Sequence, residues 1–288
     1  MRKIKTSEIK KKTKQLLIKA NFTLPDDIIF AVNSALKEEV DQRAKIILEM
    51  ILKNAAIAEK EKLPLCQDCG NVYINVGFGQ DICIINDLSS SDFSNLDKLL
   101  NEAVFEVYKD YYLRKSIVTD PLYDRKNTET NLPAIINYEY KNSEGLKIEV
   151  NLKGGGSENC SWLYMLNPFT PQEDIVDIVV ALVKENATKA CPPIIIGIGI
   201  GGSASLVVNL AKKAVFRNLN IRNSDERYFN LENKILSAVN KTGIGPQGLG
   251  GKTTALACNI EFLPCHMATM PFAVFFGCHS TRRAEAVI

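Results

Sequence analysis

Apolar residues recur near helical spacing through the first sixty positions: Ile9, Leu16, Leu17, Ile28, Ile29, Val32, Leu36, Val40, Ile46, Ile47, Met50 and Ile51. That pattern predicts helices over residues 7–60. Pro25 followed by Asp26 and Asp27 suits a helix first turn, where acidic groups meet the dipole. After a loop at 63–70 the period changes to two. Val72, Ile74 and Val76 alternate with Tyr73, Asn75 and Gly77, as in a strand. Residues 92–113 read as helix and the polar, punctuated stretch 114–132 as loop. Residues 134–140 and 146–152 read as a strand pair around an Asn142-Ser143 turn. Residues 172–189 are helical and 194–200 an apolar strand; 203–216 and 226–240 are helices. A glycine-rich loop at 243–251 and strand-like runs at 254–262 and 272–277 complete the pattern. The alternation predicts a mixed α/β fold: a helical N-terminal region, 1–62, then a mixed-sheet α/β region, 63–288, read as one continuous functional domain.

Composition changes this picture little. The 288 residues suffice for one large domain or two modest ones. With 46% hydrophobic and 24% charged residues a sizeable core can be buried, and a net charge of +2 gives no global pull toward nucleic acid. The basic cluster Arg2, Lys3, Lys5, Lys10, Lys11, Lys12 and Lys14 contains Glu8 and no further Arg, so it reads as the solvated face of a first helix rather than a transit peptide. No apolar run approaches the ~20 residues that span a bilayer, and no secretory signal is visible. A cytoplasmic location is expected, with neither membrane nor nucleic acid as partner.

Two glycine-rich segments invite a nucleotide reading. Gly197-Ile-Gly-Ile-Gly-Gly202 fits G-x-G-x-x-G between a strand and a helix, with Asp225 downstream. No second parallel strand precedes that acid, as a dinucleotide fold requires. Gly245 to Thr253 resembles a phosphate-binding loop, but the pattern needs Gly at 246, where Pro246 stands, and the preceding run is helical. Both read as structural turns.

The eight cysteines are the informative residues. In a cytosolic chain disulfides are not expected, and each thiol is by default a small apolar core residue. Cys66, Cys191 and Cys278 stand apart, in Pro-Leu-Cys-Gln-Asp-Cys-Gly, Ala-Cys-Pro-Pro and Gly-Cys-His-Ser-Thr-Arg-Arg. They lie 125 and 87 residues from one another, too far for a local zinc knuckle. Cys66 and Cys69 do form a lone C-x-x-C, which keeps a zinc-binding module or redox pair as an alternative. Cys83, Cys160, Cys258 and Cys265 are expected in the core.

Cys66-Gln67-Asp68, Lys153-Gly-Gly-Gly-Ser-Glu-Asn159, Ala190-Cys191-Pro192-Pro193 and Gly248-Leu-Gly-Gly251, together with His266 and Cys278, resemble class I iron–sulfur fumarases. The resemblance is nearest to the α subunit of two-subunit fumarases and L(+)-tartrate dehydratases. Asn127-Thr128 and Asn131-Leu-Pro-Ala134 share it, so it runs from about residue 63 to 284. Two departures stand out: Cys69, where the family usually has Thr, and His279, where related α subunits often carry Trp.

The resemblance implies that Cys66, Cys191 and Cys278 hold a [4Fe-4S] cluster with one iron left open as a Lewis acid. It further implies that Gln67, Arg114 and the Gly155 amide bind substrate and that Asp68 and His266 are catalytic. The reaction it implies is the reversible hydration of fumarate to malate, with L(+)-tartrate dehydration as the alternative and oxygen-sensitive activity. Single-chain relatives continue past the last cysteine into a domain that supplies the base, so a β subunit is expected to supply it here, together with further substrate-binding residues, in an α2β2 assembly. A non-catalytic iron–sulfur sensor is the rival of another class; Asp68 and His266 argue against it.

Overall fold

A computed structural model describes residues 2–87 and 95–288. In chain order the elements are β1 (Arg2–Lys5), α1 (Thr6–Phe22), α2 (Asp26–Glu38), α3 (Gln42–Glu61), β2 (Asn71–Phe78), β3 (Ile82–Ile85), α4 (Leu96–Asp110), β4 (Ile135–Tyr140) and β5 (Leu146–Lys153). Then come α5, a single turn (Gly155–Glu158), β6 (Ser161–Leu166), α6 (Gln172–Asn186), β7 (Ile194–Gly201), α7 (Ala204–Phe216), α8 (Glu226–Asn240), β8 (Ala255–Leu263), β9 (Met270–Gly277) and β10 (Arg282–Val287). The fold is mixed α/β, as the periodicities require. Residues 92–94 of the expected helix lie outside the described residues. Contacts divide the chain into two units: Met1–Leu24, Ile57–Gly155 and Arg282–Ile288 form the first, and Pro25–Ala56 and Gly156–Thr281 the second.

In the first unit a four-stranded sheet runs β10-β5-β2-β4 and a two-stranded ribbon pairs β1 with β3. The expected hairpin is absent: β4 pairs in parallel and β5 antiparallel with β2, which lies between them. Local sequence marks strand ends but not which strand separates two neighbours. Ile9, Leu16 and Leu17 of α1 and Leu100, Val104 and Val107 of α4 are buried in one core with Ile74, Ile148 and Val150 of the sheet. The basic run is only partly a solvated face. Lys10 pairs with Glu102 at 3.1 Å and Glu106 at 2.7 Å, and Lys14 with Glu106 at 2.9 Å, lacing α1 to α4.

The second unit is built on a sheet ordered β6-β9-β7-β8. Alternation assigns its two faces. Ile194, Ile196 and Ile198 of β7 and Phe272, Val274 and Phe276 of β9 share a core with α6 and α8. Ala273 and Phe275 pack instead against Val207, Ala211 and Val215 of α7. The glycines of the G-x-G segment serve this second face. A Cβ on Gly197 would lie 2.4 Å from Ala211 O, and one on Gly199 2.3 Å from Val207 O, so their absence lets α7 press onto the strand. Arg217, just past α7, donates to Glu232 at 2.6 Å and Asn259 at 3.1 Å, joining α7, α8 and β8. None of the described helices is long and apolar enough to cross a membrane.

Candidate functional site

The segment after α3 is fixed through its backbone and presents its side chains. In the first unit the carbonyl of Asp68 accepts from Arg282 Nη2 at 2.9 Å, that of Cys69 from the Tyr108 hydroxyl at 3.1 Å, and that of Gly70 from Asn131 Nδ2 at 3.2 Å. Cys69 is sealed in the core, and burial pushes its thiol pKa up. Gln67 is left exposed and Cys66 and Asp68 half-buried. Gly70 takes φ +75, and a Cβ there would lie 2.6 Å from Lys153 O, so the turn requires glycine. Arg282, Tyr108 and Asn131 were not identified as supports of this turn from sequence. The available signal was a Ser-Thr-Arg-Arg tail on the last cysteine motif, with no indication of where the guanidinium goes.

Asp68, Gly70, Asn71, Arg114, Ser116 and Gly155 line a polar cavity of about 180 Å³. Four of the residues expected at a site meet on this surface. Arg114 Nη1 donates to Gln67 Oε1 at 2.7 Å, which aims the guanidinium. Asp68 accepts from Gly70 N at 3.0 Å through one oxygen and from Gly155 N at 2.7 Å through the other. The Gly155 amide therefore points into the site but is engaged by Asp68. A Cβ at Gly155 would meet Asp68 at an ordinary 3.7 Å. The tight positions are its neighbours: Gly154, at 3.0 Å from Asp68 Oδ2, and Gly156, at 2.6 Å from Lys189 O.

The second unit carries the other two cysteines of the trio. Cys191 is exposed and follows a short 3-10 turn at Ala187–Ala190 in a left-handed conformation, φ +53, that costs a non-glycine residue about 1 kcal/mol. β9 ends at Gly277 beside the start of β7, so Cys278, half-buried, arrives next to it. The link is His279, whose Nδ1 lies 2.9 Å from Cys191 O. Burial lowers the His279 pKa, the hydrogen bond to Cys191 opposing it. His266 is placed elsewhere. It is exposed in the connection between Leu263 and Met270, at the opposite end of β7 and β9 from the cysteines, about 20 Å away along the strands.

The thiols sort by environment. Cys160 and Cys258 are core residues as expected, and burial pushes Cys258 well above the usual thiol range. Cys83 and Cys265 are exposed, contrary to expectation; Cys83 is on β3, and Cys265 Sγ donates to Thr269 O at 3.2 Å. With Cys69 turned into the core, Cys66 and Cys69 are not a matched ligand pair. Soft ligation needs accessible thiolates, and Cys66, Cys191 and Cys278 are accessible thiols on loops at element ends. That donor set fits an iron–sulfur cluster. Among the described residues, no three His, Cys, Asp or Glu side chains are gathered into a metal-ready group.

A polar hollow with a steered guanidinium, a carboxylate and an inward amide suits a small anionic substrate, and the sequence comparison gives the class of enzyme: a hydro-lyase. The profile of the family described as fumarate hydratase (Fumerase) matches residues 10–287, and the chain belongs to that family. A Methanocaldococcus jannaschii protein provisionally named L(+)-tartrate dehydratase subunit alpha is 37% identical over 275 residues, covering 94% of each chain. The L(+)-tartrate dehydratase subunit alpha of Escherichia coli K12 is 29% identical over 279 residues, covering 94% of this chain and 89% of its own.

Proposed function

We propose that the chain is the cluster-bearing α subunit of an iron–sulfur hydro-lyase that adds water to fumarate and removes it from malate. The observation that carries this reading is the meeting of Arg114, Gln67, Asp68 and the Gly155 amide on one surface of the unit that holds Cys66. Arg114, aimed by Gln67, offers a planar fork to one substrate carboxylate. Asp68, fixed by two backbone amides, can accept a hydrogen bond from bound water or from the substrate hydroxyl. A turn of its carboxylate would hand the Gly155 N–H to the substrate. Cys66, Cys191 and Cys278 would hold a [4Fe-4S] cluster, which when bound supplies a Lewis acid that eases departure of hydroxide.

The matched relatives are named alpha subunits, which supports a partner subunit; in this reading a β subunit closes the site and supplies the base. Within one copy of the chain the position of His266 separates it from Cys191 and Cys278. A second copy in an α2β2 assembly would be the source of a catalytic His266. A second reading, dehydration of L(+)-tartrate, is favoured by the names of the two relatives. Malate and tartrate differ by one hydroxyl, which a few polar contacts discriminate.

The test is anaerobic co-expression with the adjacent reading frame, followed by assays on fumarate, malate and L(+)-tartrate. About four irons and four sulfides per chain are expected, with iron lost in Cys66→Ser, Cys191→Ser and Cys278→Ser. One zinc per chain, or full activity of this chain without a partner, overturns the reading.

A further inference from the structure

We propose that Gln247 and His279 are a positioning pair that sets the direction of the Cys191 thiol; the inference rests on Cys191 being a cluster ligand. Two consecutive carbonyls carry the argument. Cys191 O receives both the backbone N–H of His279, at 3.4 Å, and its Nδ1, at 2.9 Å. Pro192 O receives both the backbone N–H of Gln247, at 2.7 Å, and its Nε2, at 3.0 Å. Each carbonyl is thus gripped by a main-chain and a side-chain donor of one residue.

The chemistry of the groups fixes their orientation. A carbonyl only accepts, so His279 Nδ1 carries the proton, and Gln247 presents its nitrogen rather than its oxygen to Pro192. The two donors stand 3.2 Å apart, each aimed at its own carbonyl. Cys191 and Gln247 both sit at φ +53, an arrangement that surrounding contacts must hold in place. His279 follows Cys278 directly, so the grip also ties the two cysteine loops of the second unit together. Groups that orient metal ligands in this way govern affinity although they never touch the metal.

The test uses the complex purified anaerobically with its partner, in four versions: wild type, Gln247→Glu, His279→Phe and His279→Asn. Gln247→Glu keeps the shape and removes the donor; His279→Asn keeps a donor near the Nδ1 position. Iron release to an excess of chelator should be about tenfold faster in Gln247→Glu and His279→Phe, with a broadened spectrum of the reduced cluster. His279→Asn should stay within about threefold of wild type, a rescue that a merely structural role does not predict. Hydrogen exchange over residues 188–193 in cluster-free protein should rise in Gln247→Glu and His279→Phe and not in His279→Asn. Wild-type release rates with unchanged exchange overturn the proposal. If the wild type carries no iron, the cluster reading fails by itself. The exchange data then decide the grip: faster exchange in the two donor-less variants supports it, and equal exchange overturns it.

Discussion

Glu39 shows how a single buried carboxylate can organise a loop. It is 2% exposed and accepts from the backbone N–H groups of Val40 at 2.9 Å, Asp41 at 3.1 Å and Lys252 at 2.7 Å. Burial alone would raise its pKa, but these amides outweigh it and hold the carboxyl below its usual range. A group depressed in this way contributes stability above its unfolded pKa, about 4.3, and loses it as pH falls through the folded value. Glu39→Gln should therefore cost about 2 kcal/mol at pH 7, and its gap to wild type in urea melts should narrow below about pH 4. A gap independent of pH would remove the charge from the argument. Arg282 is the opposite case. It is 1% exposed, and its Nε and Nη1 have no hydrogen-bond partner among the described residues. Its Nη2 nevertheless holds the Asp68 carbonyl, and an apolar replacement strands that acceptor. Arg282→Met should cost about 1–3 kcal/mol and speed amide exchange over residues 66–70. A loss above about 3 kcal/mol would mean that the charge is fully compensated.

At the scale of elements, the glycines of β7 decide how closely a helix can pack. Gly199→Ala would place a methyl group 2.3 Å from Val207 O, backbone that cannot yield without moving α7. We expect a loss of about 2–3 kcal/mol in denaturant melts, and no nicotinamide binding in either protein; a neutral substitution would show that α7 can slide. Helix α8 starts on Asp225, the acid that a dinucleotide reading would send to a ribose. Its carboxylate accepts from Arg227 N at 2.9 Å, capping the helix. The pairing with Arg227 pulls its pKa down to about 2. Strand-level sequence signals were sound for β2, β7, β8 and β9, whose periods are regular. They were silent for β1 and β3, four residues each, and for β10, where Arg282-Arg283-Ala-Glu285 resembles a polar tail.

At the scale of the whole molecule, Cys66 belongs to one compact unit and Cys191 and Cys278 to the other. A cluster bound to all three would couple the units, so removing iron should lower the cooperativity of unfolding as well as activity. Exposure of the co-purified complex to air should abolish turnover, and anaerobic iron with reductant should restore most of it. Denaturant melts before and after reconstitution should show separate transitions merging toward one. Identical melts with and without iron would argue that the cluster does not bridge the units.

The sequence by itself determined the local elements and the set of chemically competent residues. Periodicity is a short-range property, and rare residue types in glycine- and proline-rich loops, such as Cys66-Gln67-Asp68 and Ala190-Cys191-Pro192-Pro193, are visible without a fold. Tertiary structure alone decided which of those residues meet. Arg114 joins Gln67 across 47 positions and Gly155 joins Asp68 across 87, while His266, only twelve residues from Cys278, is carried to the far end of a strand. Pairing order, burial of one cysteine beside another, and the support of a loop by a distant guanidinium are set by non-local packing, for which adjacent sequence carries no record.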